Sequence, residues 1–293
     1  MPTLGLQWSV QNDTFQFSMA LNKQVHKISK RSILSSIARI FDPLGVLGPI
    51  IITAKIFMQR LWQLKVDWDE AVPSDLQTTW SHYESELHIL DEFQIPRNYI
   101  CHSASVVELC GFSDASEGAY GACVYMRSKS SEDRWQSSLL CAKSRVAPLK
   151  NISIPRLELC AALLLAQLMH KIMESVSIKF TRTYYWSDST IALSWIKSPP
   201  RRWSTFVANR VSAIQDLSDS NDWHYVDSSH NPADIISRGL SPALLLKSEL
   251  WWQGPEWLSQ DTTDWDIKIL PSAQEMPEQR KIAAAAHNAL HTN

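Results

Sequence analysis

Apolar and polar positions follow two regimes along the chain, and they change over near residue 100. Phe15, Phe17 and Met19 alternate with polar neighbours. Together with Leu4-Gly5-Leu6-Gln7-Trp8 on the other side of Asn12-Asp13, they predict a short hairpin. Ser32 to Ile40 places Ile33, Leu34, Ile37 and Ile40 at helical spacing, and Asp42-Pro43-Leu44-Gly45 then stops the helix. Two more helices are expected, one over Thr53 to Leu64 after Pro49 and one over Leu76 to Leu90 behind Pro73-Ser74-Asp75. Past Pro96 the period becomes two, with β-branched and aromatic residues, and predicts strands at Ser105 to Ser113, Ala119 to Arg127 and Trp135 to Ser144. Pro155 opens a strongly apolar helix through Leu157, Leu164, Leu168 and Ile172, long enough to cover a sheet. A strand at Thr181 to Trp186, short helices from Thr190 and Trp203, a strand at Trp223 to Asp227 and a last helix from Pro232 complete the order βββαβααβα. Beyond Trp257 the sequence is polar, then alanine-rich, and predicts a lone helix or a disordered tail.

Composition narrows this reading. A chain of 293 residues suits two modules with tails. Its 45% hydrophobic and 20% charged residues are enough for a substantial core, which excludes disorder throughout. The 13 tryptophans are expected mainly in packing. Five cysteines, odd in number and without a CxxC pair, argue against a disulfide scaffold and against a zinc site. The longest apolar stretches, Val46 to Ala54 and Leu159 to Met169, are shorter than the roughly 20 residues that span a bilayer. With no signal-peptide pattern, the expectation is a soluble, unsecreted, intracellular protein.

The net charge of −2 conceals local blocks. Thr14 to Phe41 has no acid but holds Lys23, Lys27, Lys30, Arg31 and Arg39, whereas Asp67 to Glu92 holds eight acids and no lysine or arginine. Arg134 to Arg156 and Lys197 to Arg210 are also free of acids. Such stripes can neutralise phosphates, although a solvated surface explains any one of them.

Asp114, Glu158, Asp188 and Asp234 fall where strands are expected to end or helices to begin, 44, 30 and 46 residues apart. Only a fold that sets the central strands side by side would gather them, and helix capping alone explains Asp188 and Asp234 individually. The strings around them say more. Phe112-Ser113-Asp114-Ala115-Ser116, Arg156-Leu157-Glu158-Leu159, Trp186-Ser187-Asp188-Ser189 and Asn231-Pro232-Ala233-Asp234-Ile235-Ile236-Ser237-Arg238-Gly239 together resemble the ribonuclease H region of BEL/Pao-type retrotransposon polyproteins. Lys30-Arg31-Ser32-Ile33-Leu34 and Ile40-Phe41-Asp42-Pro43-Leu44-Gly45 resemble the segment that links reverse transcriptase to that region. The opening hairpin resembles the end of the polymerase palm near its primer grip. The resemblance covers roughly Leu4 to Leu258.

The resemblance implies an α/β fold, a ribonuclease H-like mixed five-stranded sheet flanked by helices and preceded by a mostly helical thumb/connection-like module. Its expected division is a palm remnant over 1–22, the helical module over 23–100, the ribonuclease H-like domain over 104–240 and a C-terminal extension over 241–293. It implies endonucleolytic, metal-dependent cleavage of the RNA strand of RNA–DNA hybrids during reverse transcription. Asp114, Glu158, Asp188 and Asp234 would hold two magnesium ions, with manganese as a substitute. Four carboxylates suit such a pair, because hard cations prefer oxygen and close positive charges need anionic ligands. Lys197, Arg201 and Arg202 are candidates for backbone contact, with Trp195 and Trp203 packing beneath. His224 and His230 are auxiliary candidates, though neither sits in a recognisable copy of the histidine loop of cellular relatives. The implied partners are the hybrid and the polymerase region of the same polyprotein, in the cytoplasm, in virus-like particles or in the nucleus. The polymerase's metal-binding aspartates are not found, so DNA synthesis is not expected of this chain.

Two alternatives stay open on the residues alone. One is a non-catalytic retroelement remnant that serves as a nucleic-acid-binding scaffold. The other is a Pao-type aspartic peptidase, for which Asp114-Ala115-Ser116 and Asp188-Ser189-Thr190 are superficial candidates, but the required Asp-Thr/Ser-Gly triplet occurs nowhere and Glu158 would have no role.

Overall fold

The structure, a computed structural model, describes residues 6–18, 27–268 and 276–280. Leu4, Gly5, Met19, Lys23 and the alanine-rich tail lie outside the described residues. The chain opens with β1 (Leu6–Ser9) and β2 (Thr14–Phe17), an antiparallel hairpin whose turn ends on Asp13 at φ 48°. Helices α1 (Lys30–Ala38), α2 (Gly48–Gln63) and α3 (Ser74–Glu86) follow, and then a tight 3-10 turn over Leu87–Glu92. The short strand β3 (Gln94–Pro96) returns to pair with β2, closing a three-stranded sheet.

The second sheet holds β4 (Val106–Ala115), β5 (Ala119–Lys129), β6 (Trp135–Val146), β7 (Arg182–Ser187) and β8 (Trp223–Tyr225). Their order is β6-β5-β4-β7-β8. The first three strands form an antiparallel meander, and β7 and β8 add in parallel beside β4. A parallel step needs a crossover, which the 22-residue α4 (Ile154–Ser175) supplies. This is the mixed five-stranded sheet flanked by helices that the sequence led us to expect.

Both faces of the sheet are covered, so β4 is buried almost end to end. Leu109, Val124, Met126 and Tyr185 face α4 (through Leu159, Leu165 and Met169) and the helices α5 (Thr190–Ile196) and α6 (Thr205–Leu217). The alternate residues Cys110, Phe112, Cys123, Tyr125 and Trp186 face the other way. There they meet Ile50 of α2, Ile236 of α7 (Ala233–Arg238) and Trp251 of α9 (Glu249–Gln253), which follows α8 (Pro242–Leu246). Phe17, Leu90, Phe93 and Ile95 join this same cluster, so β2, β3 and the start of α2 share a core with the outer face of the sheet, whereas Ile33 of α1, Leu61 of α2 and Leu76 and Trp80 of α3 pack in a separate, smaller cluster.

The loop ahead of α2 is built for this contact. Asp42 accepts backbone N–H bonds from Val46 (2.9 Å) and Leu47 (2.8 Å), and Leu44 O accepts from Ala142 N of β6 at 2.8 Å. Gly45 holds φ 74°, and a Cβ there would lie 1.8 Å from Ala142 O, so only glycine lets the loop approach the strand.

The stretch beyond Trp257 is not a loose polar tail over its described part. Trp265 is buried against Tyr184, Trp186 and Trp257. Arg127 of β5, fully buried, donates from Nε to Leu258 O at 2.6 Å and from Nη2 to Gln260 O. Tryptophan packing is as expected: Trp80, Trp195, Trp203, Trp223 and Trp251 are among the most enclosed side chains. The basic block near the N-terminus is not a uniform surface stripe, since Lys30 is buried with its ammonium 4.3 Å from the ring of Trp62. All five cysteines are free. Among the described residues no helix is long and apolar enough to cross a membrane.

Candidate metal centre

The pairing of β4 with β7 sets the site. Ser113 lies opposite Ser187 in the parallel register, so the next residue of each strand, Asp114 and Asp188, emerge side by side. Helix α4 crosses over this pair, and its early turns put Glu158 above the ends of the strands. Ligand oxygens of Asp114, Glu158 and Asp188 all lie within 4.8 Å of one another. Asp114 and Glu158 are buried and Asp188 is half-buried.

Three carboxylates this close repel each other. Burial, followed by the repulsion of Asp114 and Asp188, pushes the Glu158 carboxyl up to about 9, against one opposing hydrogen bond from the backbone of Ala115. Burial likewise raises Asp114 to about 6, with Asp188 and Asp234 adding to the rise and the Ser237 hydroxyl opposing it. Glu158 Oε2 and Asp188 Oδ1 are buried without a hydrogen-bond partner. Carboxyl oxygens crowded together and left without partners are costly as they stand, and their chemistry suits a hard divalent cation.

Asp234 stands apart from the three. It begins α7, its side chain is about a third exposed, and it is ion-paired with Arg238 one turn later. It is still close enough to raise the carboxyls of Asp114 and Glu158. The structure therefore gathers three of the four expected ligands into one cluster and places the fourth outside it, at its rim.

His224 is not part of this cluster. Its ring lies 5.0 Å from that of Trp186 on the outer face of the sheet, where burial lowers its pKa to about 4 and keeps it neutral. His230 is exposed on the turn Ser228–His230, and Ser228 of that turn donates to Asp188 Oδ2 at 2.5 Å. Lys197, Arg201 and Arg202 are exposed around the end of α5. Beneath them, Trp195 donates from Nε1 to Pro277 O at 3.1 Å.

Several residues that hold the carboxylates were not singled out from sequence. Ser237 donates to Asp114 Oδ2. Asn231, fully buried, donates from Nδ2 to Ser113 O at 3.2 Å and accepts from Ala233 N at 3.1 Å, which ties the start of α7 to the end of β4. Ser116 donates to Ser237 O at 2.8 Å. All three lie inside the strings quoted for the resemblance, but their roles depend on which strand end faces which helix.

No curated protein matches the chain. Among solved structures it is similar to the N-terminal RNase H domain of rv2228c from Mycobacterium tuberculosis, solved as a fusion with maltose-binding protein. There the identity is 12%, covering 45% of this chain and 94% of that one, at a TM-score of 0.32. RNase H1 from the halophilic archaeon Halobacterium salinarum NRC-1 is 12% identical, covering 44% and 91%, at a TM-score of 0.29. LC11-RNase H1 in complex with an RNA/DNA hybrid is 10% identical, covering 47% and 99%, at a TM-score of 0.32. At these values the neighbours carry no functional argument. The family model does: the Pao retrotransposon-like RNaseH-like domain matches residues 29–189, more than half of the chain, and the protein belongs to that family.

Proposed function

We propose that this chain is a retrotransposon ribonuclease H, an endonuclease that cuts the RNA strand of RNA–DNA hybrids during reverse transcription. The observation that carries the reading is the convergence of Asp114, Glu158 and Asp188 on one buried point with two oxygens left without partners. Those three residues would hold divalent cation, magnesium or its substitute manganese, with Asp234 completing the ligand set from the rim. A pair of bound ions supplies activation of water and stabilisation of the leaving 3′ oxygen in an in-line displacement. The chain's own residues keep the ligands in place: Ser237 orients Asp114, Ser228 orients Asp188, and Asn231 fixes α7 against β4. Glu158 within the cluster favours a metal site over an aspartic peptidase, which needs only a dyad.

The substrate partner is the hybrid, and the structural partner is the polymerase region of the same polyprotein. The site of action would be cytoplasmic, within virus-like particles, or nuclear. The test is cleavage of a labelled RNA–DNA hybrid with magnesium, beside single-stranded RNA and an Asp114→Asn control. Hybrid cleavage lost in Asp114→Asn supports the proposal. No hybrid cleavage leaves the non-catalytic scaffold as the better account, and cleavage that survives Asp114→Asn refutes the carboxylate cluster as its source.

A further inference from the structure

Arg156 stands two residues ahead of Glu158, in the first turn of α4, and its guanidinium is occupied. Nε and Nη2 each donate at 2.8 Å to the two carboxylate oxygens of Glu278, a parallel two-pronged pair. The guanidinium carbon sits 4.9 Å from the ring of Phe206. Ser204, the residue ahead of α6, makes no side-chain cap on its helix and gives its hydroxyl to the same carboxylate. A guanidinium fork flanked by a hydroxyl suits a phosphate as well as it suits a carboxylate.

The segment that delivers Glu278 is laid along the third acid-free block of the sequence. Pro277 O accepts from Trp195 Nε1, Ser204 N donates to Glu278 O at 2.8 Å, and Arg280 N donates to Arg202 O at 2.8 Å. It thereby lies across the approach to Arg156 and beside the exposed Arg201 and Arg202. Two features make the contact displaceable. The pair is only part-buried, with 34% of the Arg156 side chain and 19% of the Glu278 side chain exposed, so solvent and a competing anion can reach it. Glu278 also holds φ 69°, a left-handed conformation unfavourable for a residue with a side chain.

We propose that residues 276–280 form an acidic strap whose Glu278 carboxylate occupies a phosphate-contact site at Arg156 and Ser204, so that strap and nucleic-acid backbone compete for it. This rests on the hybrid-binding reading above. Displacing the strap frees Arg156, with Arg201 and Arg202 beside it, to neutralise phosphates of a hybrid that runs along the α4–α6 side of the fold. The strap therefore sets the affinity for the hybrid without touching the carboxylates.

The test is binding of a fluorescent RNA–DNA hybrid to the full chain in calcium, which permits binding without turnover, across a salt series. Glu278→Gln is expected to tighten binding by about fivefold or more. It should also steepen the dependence of log affinity on log salt by about one unit, as one more phosphate is neutralised. Adding Arg156→Gln should abolish both gains. Inorganic phosphate should raise the melting temperature of Glu278→Gln more than that of the native chain. Unchanged or weaker hybrid binding by a folded Glu278→Gln overturns the proposal, because the pair is then only a staple. A Glu278→Gln chain that fails to fold overturns it too, since a displaceable competitor is not essential to the fold. Cleavage by the native chain in magnesium is read separately, so tighter binding without any cleavage would refute the nuclease reading and leave the strap standing.

Discussion

Removing the positive charge of Arg127 gives the sharpest test of how the C-terminal extension is held behind the site. Its guanidinium is fully enclosed: Nη1 pairs with Glu108 Oε2 at 2.7 Å, and Nε and Nη2 donate to the carbonyls of Leu258 and Gln260. The group also lies 3.5 Å from the ring centroid of Trp135 and 4.6 Å from that of Trp265. Arg127→Met strands a carboxylate and two carbonyls in the interior. Breaking one side of a buried pair costs about 3–5 kcal/mol, roughly a 10 °C fall in melting temperature for a chain of this size.

Glu108 supplies a control. Burial already raises its carboxyl, with Arg127 opposing the rise. With Arg127 gone it rises further above its unfolded value. Stability linked to a raised carboxyl is present below the unfolded pKa and lost as pH climbs, so the variant should recover between neutral pH and about pH 5. Arg127→Met with Glu108→Met removes both charges and should restore much of the loss. Urea titration followed by tryptophan fluorescence reads all of this. A loss below about 1 kcal/mol for the single variant, or a double variant no better than the single, refutes the reasoning.

Three further outcomes are expected. Ser237→Ala removes the hydroxyl that orients Asp114 and should lower hybrid cleavage about 10- to 100-fold with the fold intact by circular dichroism. Asp42 has its carboxyl raised to about 6 by burial despite accepting from Val46 and Leu47, so the native chain should gain stability as pH falls from neutral through 6 towards 4. Asp42→Asn should show a smaller gain in melting temperature, the remainder coming from Asp114, whose carboxyl is raised into the same range. Gly45→Ala should be strongly destabilising, by about 2 kcal/mol or more in urea titration, since φ 74° and the Ala142 carbonyl both oppose a side chain.

What could be read from the sequence follows from how local each signal is. Strands β4 to β6 and helix α4 carry long periodic patterns, and their observed limits differ from the expected ones by only a few residues. The three-residue β3 and the five-residue α8 and α9 are too short for a period, and partners far along the chain set them. Beyond Trp257 the polar neighbours of Trp265 read as tail, whereas its burial depends on Tyr184 and Trp186 some eighty residues earlier. The convergence of Asp114 and Asp188 needed the register Ser113 to Ser187, which no local pattern encodes. Asp234 was legible as part of a string, but neither its pairing with Arg238 nor its place outside the three-carboxylate cluster was.

If Asp114, Glu158 and Asp188 form a metal centre, manganese in a crystal of the full chain will reveal it most directly through its anomalous scattering. The expected result is a peak within about 2.0–2.3 Å of oxygens from these three carboxylates, lost in Asp114→Asn. An empty cluster at saturating manganese, or a peak bound elsewhere, would contradict it.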